Sequence, residues 1–138
     1  MKRVGEFGLI VGVSLALALG SFLMRPSALP WSVSDYEIEL EGALELEGAL
    51  WVDARAIEDF EAGSYAGAIS VNEESWEDGF VGLLNMWVPD APVVVFCSSQ
   101  SCLRSHHVAA RLRSELGAEE IYTLKGGWES LLEAGLAQ

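Results

Sequence analysis

Pro92-Val93-Val94-Val95-Phe96 is an unbroken β-branched and aromatic run that ends at Cys97. A strand with no polar alternation is buried on both faces, so this run belongs in the middle of a sheet. On its C-terminal side a polar loop leads to Val108, Leu112 and Leu116, whose spacing predicts an amphipathic helix stopped by Gly117. Ile121-Tyr122-Thr123-Leu124 then reads as a strand, and Gly126-Gly127 turns the chain into a closing helix over Trp128 to Glu133. On its N-terminal side, Ala49 to Val52 reads as a buried strand ending at Asp53. Ala56 to Glu61 reads as a short helix closed by Gly63, and Ala68 to Val71 as a second strand. Glu73 to Trp87 reads as helix or loop, and Asp35 to Glu47, with Leu40, Ala43 and Leu44 at helical spacing, as a helix stopped by Gly48. Strands separated by helices imply right-handed crossovers, hence an α/β fold with a mostly parallel central sheet and helices on both faces. Ligands of such sheets bind beyond the carboxyl ends of the strands, and Cys97 stands at such an end.

The chain has 138 residues, with 8 Lys plus Arg against 21 Asp plus Glu, a formal charge of −13; 51% of its residues are hydrophobic. That length holds one ordinary domain, and that composition excludes wholesale disorder. The acidic balance argues against a nucleic-acid partner, whose binding runs on Lys and Arg. Two cysteines are too few for a disulfide-stapled miniprotein.

The basic Met1-Lys2-Arg3 precedes an uncharged run from Phe7 to Met24. Such a run reaches about 27 Å as a helix, close to the ~30 Å of a bilayer's hydrocarbon core. Residues 1–30 are therefore expected to form an N-terminal hydrophobic helix plus linker, acting as a signal anchor, and 31–138 the folded domain. Lys2 and Arg3 keep the amino end in the cytoplasm, which puts the domain on the extracytoplasmic, periplasmic side. Ala18-Leu19-Gly20 before Ser21 supports the alternative of a cleaved signal peptide and a domain secreted to the periplasm.

The chemistry concentrates in Cys97-Ser98-Ser99-Gln100-Ser101-Cys102-Leu103-Arg104, with His106 and His107 just beyond. A loop running from a buried strand into a helix amino terminus turns backbone N–H groups toward its own centre, and the helix dipole adds positive potential. With Arg104 at the far rim, these effects favour a Cys97 thiolate over the thiol. Ser98, Ser99, Gln100, Ser101, Cys102 and Leu103 are then the substrate-binding loop. Cys102, five positions from Cys97 on the exported side, is a candidate redox partner able to form a disulfide or resolve an oxidised Cys97. His106 is a candidate pocket-rim group. Asp53 and Arg55 read as a structural ion pair supporting the loops. No metal is expected: adjacent His106 and His107 point about 100° apart on a helix, and no paired-ligand spacing is present.

Five segments, taken in order, resemble the single-domain rhodanese (sulfurtransferase) family. Val52-Asp53-Ala54-Arg55 resembles its hydrophobic-Asp-x-Arg strand end. Gly63-Ser64-Tyr65-Ala66-Gly67-Ala68-Ile69 resembles its Gly-His-Ile-Pro-Gly-Ala segment, with Ser64 for His and Ala66 for Pro. Val94-Val95-Phe96-Cys97 resembles the strand and nucleophile, Arg104-Ser105 the end of the active loop, and Leu124-Lys125-Gly126-Gly127-Trp128 the terminal Gly-Gly-aromatic turn. The resemblance implies a rhodanese-like fold and an enzyme that moves a sulfane sulfur from an anionic or persulfide donor to a thiol or cyanide acceptor through a Cys97 persulfide. It implies Cys97 and Arg104 as catalytic residues, no cofactor, and a small sulfur-containing substrate or a protein thiol as partner. Arg104 stands seven positions after Cys97, two beyond the common spacing, so the loop is expected to shape a wider pocket. A thiol-redox or sulfur-sensing domain using Cys97 and Cys102 is the main alternative, and a phosphatase or arsenate-reductase-like activity a minor one.

Overall fold

The central run is paired on both sides. In a computed structural model, which describes residues 36–98 and 103–138, Val93–Phe96 (β4) lies between Leu50–Asp53 (β2) and Ile121–Leu124 (β5). Both pairings are parallel, with Val94 opposite Trp51 on one side and Tyr122 on the other. Two short edge strands complete the sheet, Glu37–Ile38 (β1) beside β5 and Ile69–Ser70 (β3) beside β2, in the order β1-β5-β4-β2-β3.

Because side chains alternate across a strand, β4 feeds two separate cores. Val93 and Val95 join Val52, Val71, Ile121 and the helix residues Leu83, Val108 and Leu112. Val94 and Phe96 join Trp51, Leu124, Ala43 and Leu131. The first core is covered by Trp76–Met86 (α3) and Leu103–Leu116 (α4), the second by Leu40–Glu45 (α1) and Gly127–Glu133 (α5). Ile57–Ala62 (α2) buries no residue and links β2 to β3. The expected α/β architecture is therefore present, with a parallel sheet and helices on both faces.

Two elements depart from the sequence reading. Asp35 to Glu47 was expected as one helix, but Glu37–Ile38 is a strand and the helix starts at Leu40. Its edge pairing draws on β5, a partner 86 residues away: Lys125 N–H bonds the Ile38 carbonyl, and the Lys125 ammonium pairs with Glu39. That hydrogen bond and the Glu39 charge raise the Lys125 pKa above the ordinary lysine value. The tie is thus at full strength below the unfolded lysine's pKa and is lost only as pH climbs through the raised one. The segment from Glu73, left open between helix and loop, is helical from Trp76 to Met86. The expected N-terminal hydrophobic helix and Ser99, Gln100, Ser101 and Cys102 lie outside the described residues. Among the described residues no helix is long and apolar enough to cross a membrane.

Helix α3 sits against the edge strand through Gly79. A Cβ there would meet the Ser70 carbonyl oxygen at 2.7 Å and the Val71 Cα at 2.9 Å, both backbone atoms that cannot swing aside. Gly79→Ala should therefore push α3 off β3 and lower stability by about 1–3 kcal/mol, the usual cost of overpacking. A urea melt checks this; an unchanged midpoint would show that the helix shifts without cost.

Candidate functional site

The carboxyl ends of β2, β3 and β4 carry the candidate residues. The β2 end is the most tightly built. Asp53, fully buried, receives hydrogen bonds from the Arg55 backbone N–H (3.0 Å), from Arg55 Nε and Nη2, and from Ser64 Oγ (2.7 Å). Arg55 is 5% exposed, also donates to the Gly63 carbonyl, and stacks 4.0 Å over the Trp128 ring. The two side chains form a buried ion pair. Its fork geometry satisfies both charges inside the protein, which an unpaired buried ion would not tolerate.

The β4 end carries Cys97. Its carbonyl accepts the Trp128 N–H at 2.7 Å, so the residue bearing the sulfur is fastened to the first turn of α5. That approach depends on Gly126, whose φ of 80° is the left-handed conformation that glycine adopts without strain. Cys97 is 2% exposed and its sulfur is engaged in a disulfide. A nucleophile emerges from this sulfur only after reduction. The chain's second cysteine, Cys102, lies outside the described residues, as do Ser99, Gln100 and Ser101. Ser98 is exposed at the start of the loop and Leu103 is exposed where α4 begins.

The first turns of α4 are clasped by the loop after β3. Arg104 Nη2 lies 2.9 Å from Glu74 Oε1, and His107 Nδ1 lies 3.1 Å from Glu73 Oε1. His106 faces elsewhere, with Nδ1 3.5 Å from Thr123 Oγ1 and Nε2 3.7 Å from Glu37 on β1. The histidine facing the Glu73-Glu74 loop is thus His107, one residue and about 100° further round the helix. Ala56, Ile57 and Glu58 at the start of α2 and Asn72, Glu74 and Ser75 from the loop after β3 line a cleft of about 290 Å³. Asn72 is nearly fully buried, and its Oδ1 accepts hydrogen bonds from both the N–H and the hydroxyl of Ser75, which fixes the turn carrying Glu73 and Glu74. The sequence reading did not single out Glu74 or Asn72, and named Ser64 only within the family-like segment. Glu73-Glu74 is visible as an acidic pair, but its partners on α4 are about thirty positions away and only the fold brings them together.

A parallel sheet, a buried Asp-x-Arg pair and a cysteine crowning the central strand thus occur together in this chain. The family model of the rhodanese-like domain matches residues 38–134. The chain belongs to the rhodanese-like domain family. Solved structures agree on the fold. A rhodanese-related protein from Thermoplasma volcanium shares 23% identity at a TM-score of 0.56, covering 72% of this chain and 93% of that one. A protein from Bacillus halodurans shares 19% identity at a TM-score of 0.58, covering 87% and 82%. A rhodanese-like domain from an Anabaena protein shares 18% identity at a TM-score of 0.55, covering 74% and 77%. No curated protein matches the chain. In this rhodanese-like domain, the Ser64 hydroxyl donates to the buried Asp53 carboxylate.

Proposed function

We propose that this rhodanese-like domain is a sulfurtransferase whose nucleophile is Cys97. The observation that carries the reading is the position of that sulfur: on the residue after the central parallel strand, anchored through its carbonyl to α5, in a chain of this family. Reduction of its disulfide by a thiol reductant frees the Cys97 thiolate. That thiolate attacks the outer sulfur of a sulfane donor, forming a Cys97 S–S bond as the donor's own S–S bond breaks. The donor's inner sulfur leaves with the electron pair, as sulfite from thiosulfate or as a thiolate from an organic persulfide. A thiol or cyanide acceptor then attacks the outer sulfur of the persulfide and returns the Cys97 thiolate. The positive end of α4 and the Arg104 guanidinium favour the anionic sulfur at each stage. Arg104 also steadies charge on the donor, and no step calls for a metal or an organic cofactor.

Reduced protein incubated with a sulfane donor should gain about 32 Da, one sulfur atom, in its intact mass, and lose it on addition of cyanide. No gain with any sulfane donor would overturn the reading. A second reading has an observation of its own in the disulfide at Cys97. In it the domain is a thiol-redox or sulfur-sensing module in which Cys97 cycles with Cys102 without transferring sulfur. That reading expects reversible loss of about 2 Da on oxidation and no persulfide. Residues 7–24 are proposed as the anchor that holds the domain on the extracytoplasmic side; release of the full chain from membranes by salt alone would refute this.

A further inference from the structure

We propose that Glu74 sets the charge selectivity of this site, acting as a resident counter-anion for Arg104, so that the sulfur donor is an organic persulfide with a neutral or cationic body rather than the thiosulfate dianion. The inference rests on the sulfurtransferase reading and refines its substrate class.

The argument starts from the supply of positive charge. Residues 36–138 contain five Lys and Arg. Arg55 is locked on Asp53 and Trp128. Arg111 pairs with Glu115 and covers Trp76. Arg113 donates to the Ile121 carbonyl and lies over Tyr36, and Lys125 pairs with Glu39 at the β1 edge. Arg104 is the remaining one, two residues into the helix that follows the Cys97 loop. An oxyanion donor needs its guanidinium, ideally through two parallel N–H bonds.

Glu74 already occupies part of that guanidinium. Its carboxylate holds Nη2 at 2.9 Å, while Nη1 is buried and has no hydrogen-bond partner among the described residues. One Nη2 donor is therefore taken, and the Nη1 N–H groups keep capacity for an acceptor that reaches them. The carboxylate is presented by a turn that Asn72 and Ser75 fix, and Glu73 pins the next turn of the same helix through His107. Glu58 faces the same cleft as Glu74. A dianion approaching Arg104 must compete with the Glu74 carboxylate already on Nη2. A persulfide needs only one N–H for its single negative sulfur, and an amine on its organic part would find Glu74 and Glu58 favourable.

The pair is partly exposed, with side chains 41% and 58% accessible, so its effect on a competing anion is that of a surface ion pair, about fivefold rather than a thousandfold. The test uses the reduced full chain and two donors, thiosulfate and aminoethyl persulfide, with kcat and KM measured separately for transfer to cyanide. The wild type should prefer aminoethyl persulfide in kcat/KM. Glu74→Gln should raise the thiosulfate-to-persulfide ratio of kcat/KM about fivefold, through the KM for thiosulfate, and the gain should shrink at high salt. In an Arg104→Gln background the same substitution should leave the ratio where it was, because Glu74 acts through that guanidinium. A ratio unmoved by Glu74→Gln, or a wild type that prefers thiosulfate, would overturn the charge proposal while leaving the sulfurtransferase standing. Failure of both donors to load sulfur onto the wild type would instead remove the reading on which the proposal rests.

Discussion

Asp53→Ala lowers the stability of the domain by about 3–5 kcal/mol, the cost of stripping one partner from a buried ion pair. Asp53 is fully buried and gathers Arg55 Nε, Arg55 Nη2, the Arg55 N–H and Ser64 Oγ on one carboxylate. Without it the Arg55 charge stays inside, bonded among the described residues to the Gly63 carbonyl and stacked on Trp128. The damage reaches the site, because Trp128 holds the Cys97 carbonyl through its own N–H. Replacing both partners, as Asp53→Leu with Arg55→Met, should cost less than the single change, since no orphaned charge remains. Chemical denaturation of the two variants beside the wild type decides it. A single-variant loss below about 1 kcal/mol would mean that water reaches the pair and relieves it.

Cys97→Ser should reduce sulfur transfer to the uncatalysed background, the largest kinetic effect any single change in this chain is expected to have. The proposed mechanism routes both half-reactions through that sulfur, and a hydroxyl at the same place neither ionises near neutrality nor forms a persulfide. Cys102→Ser separates the two readings of the site. A transferase keeps turning over without Cys102 once reduced, whereas a redox module loses its oxidation-linked change of about 2 Da and with it all cycling. Measurable turnover in Cys97→Ser would exclude Cys97 as the nucleophile.

Much of the fold could be read from local pattern, for a reason that particular elements make plain. The β4 run is continuous because both of its faces are covered, and burial on two faces leaves no room for polar alternation. The helix after it shows its buried stripe as Val108 and Leu112, and Gly117 closes it where expected. β1 shows the limit. A two-residue edge strand has too little sequence for a period of two to register, and its hydrogen bonds come from β5. The helical spacing of Leu40, Ala43 and Leu44 therefore dominated the reading and swallowed the strand.

For the site, residue chemistry was legible and partnership was not. A cysteine after a buried strand, an Asp-x-Arg pair and an arginine entering a helix can each be picked out along the chain, because each depends on near neighbours. That Arg104 faces Glu74, that His107 rather than His106 meets the acidic turn, and that Ser64 bonds Asp53 depend on crossovers that bring residues 11 to 34 positions apart into contact. Amino-acid order alone determined a parallel α/β sheet with a sulfur at the end of its central strand, since periodicity and strand-end position are local properties. Only the tertiary structure decided how much of the arginine's charge is left for a ligand, because a Coulombic interaction depends on separation in space and not along the chain.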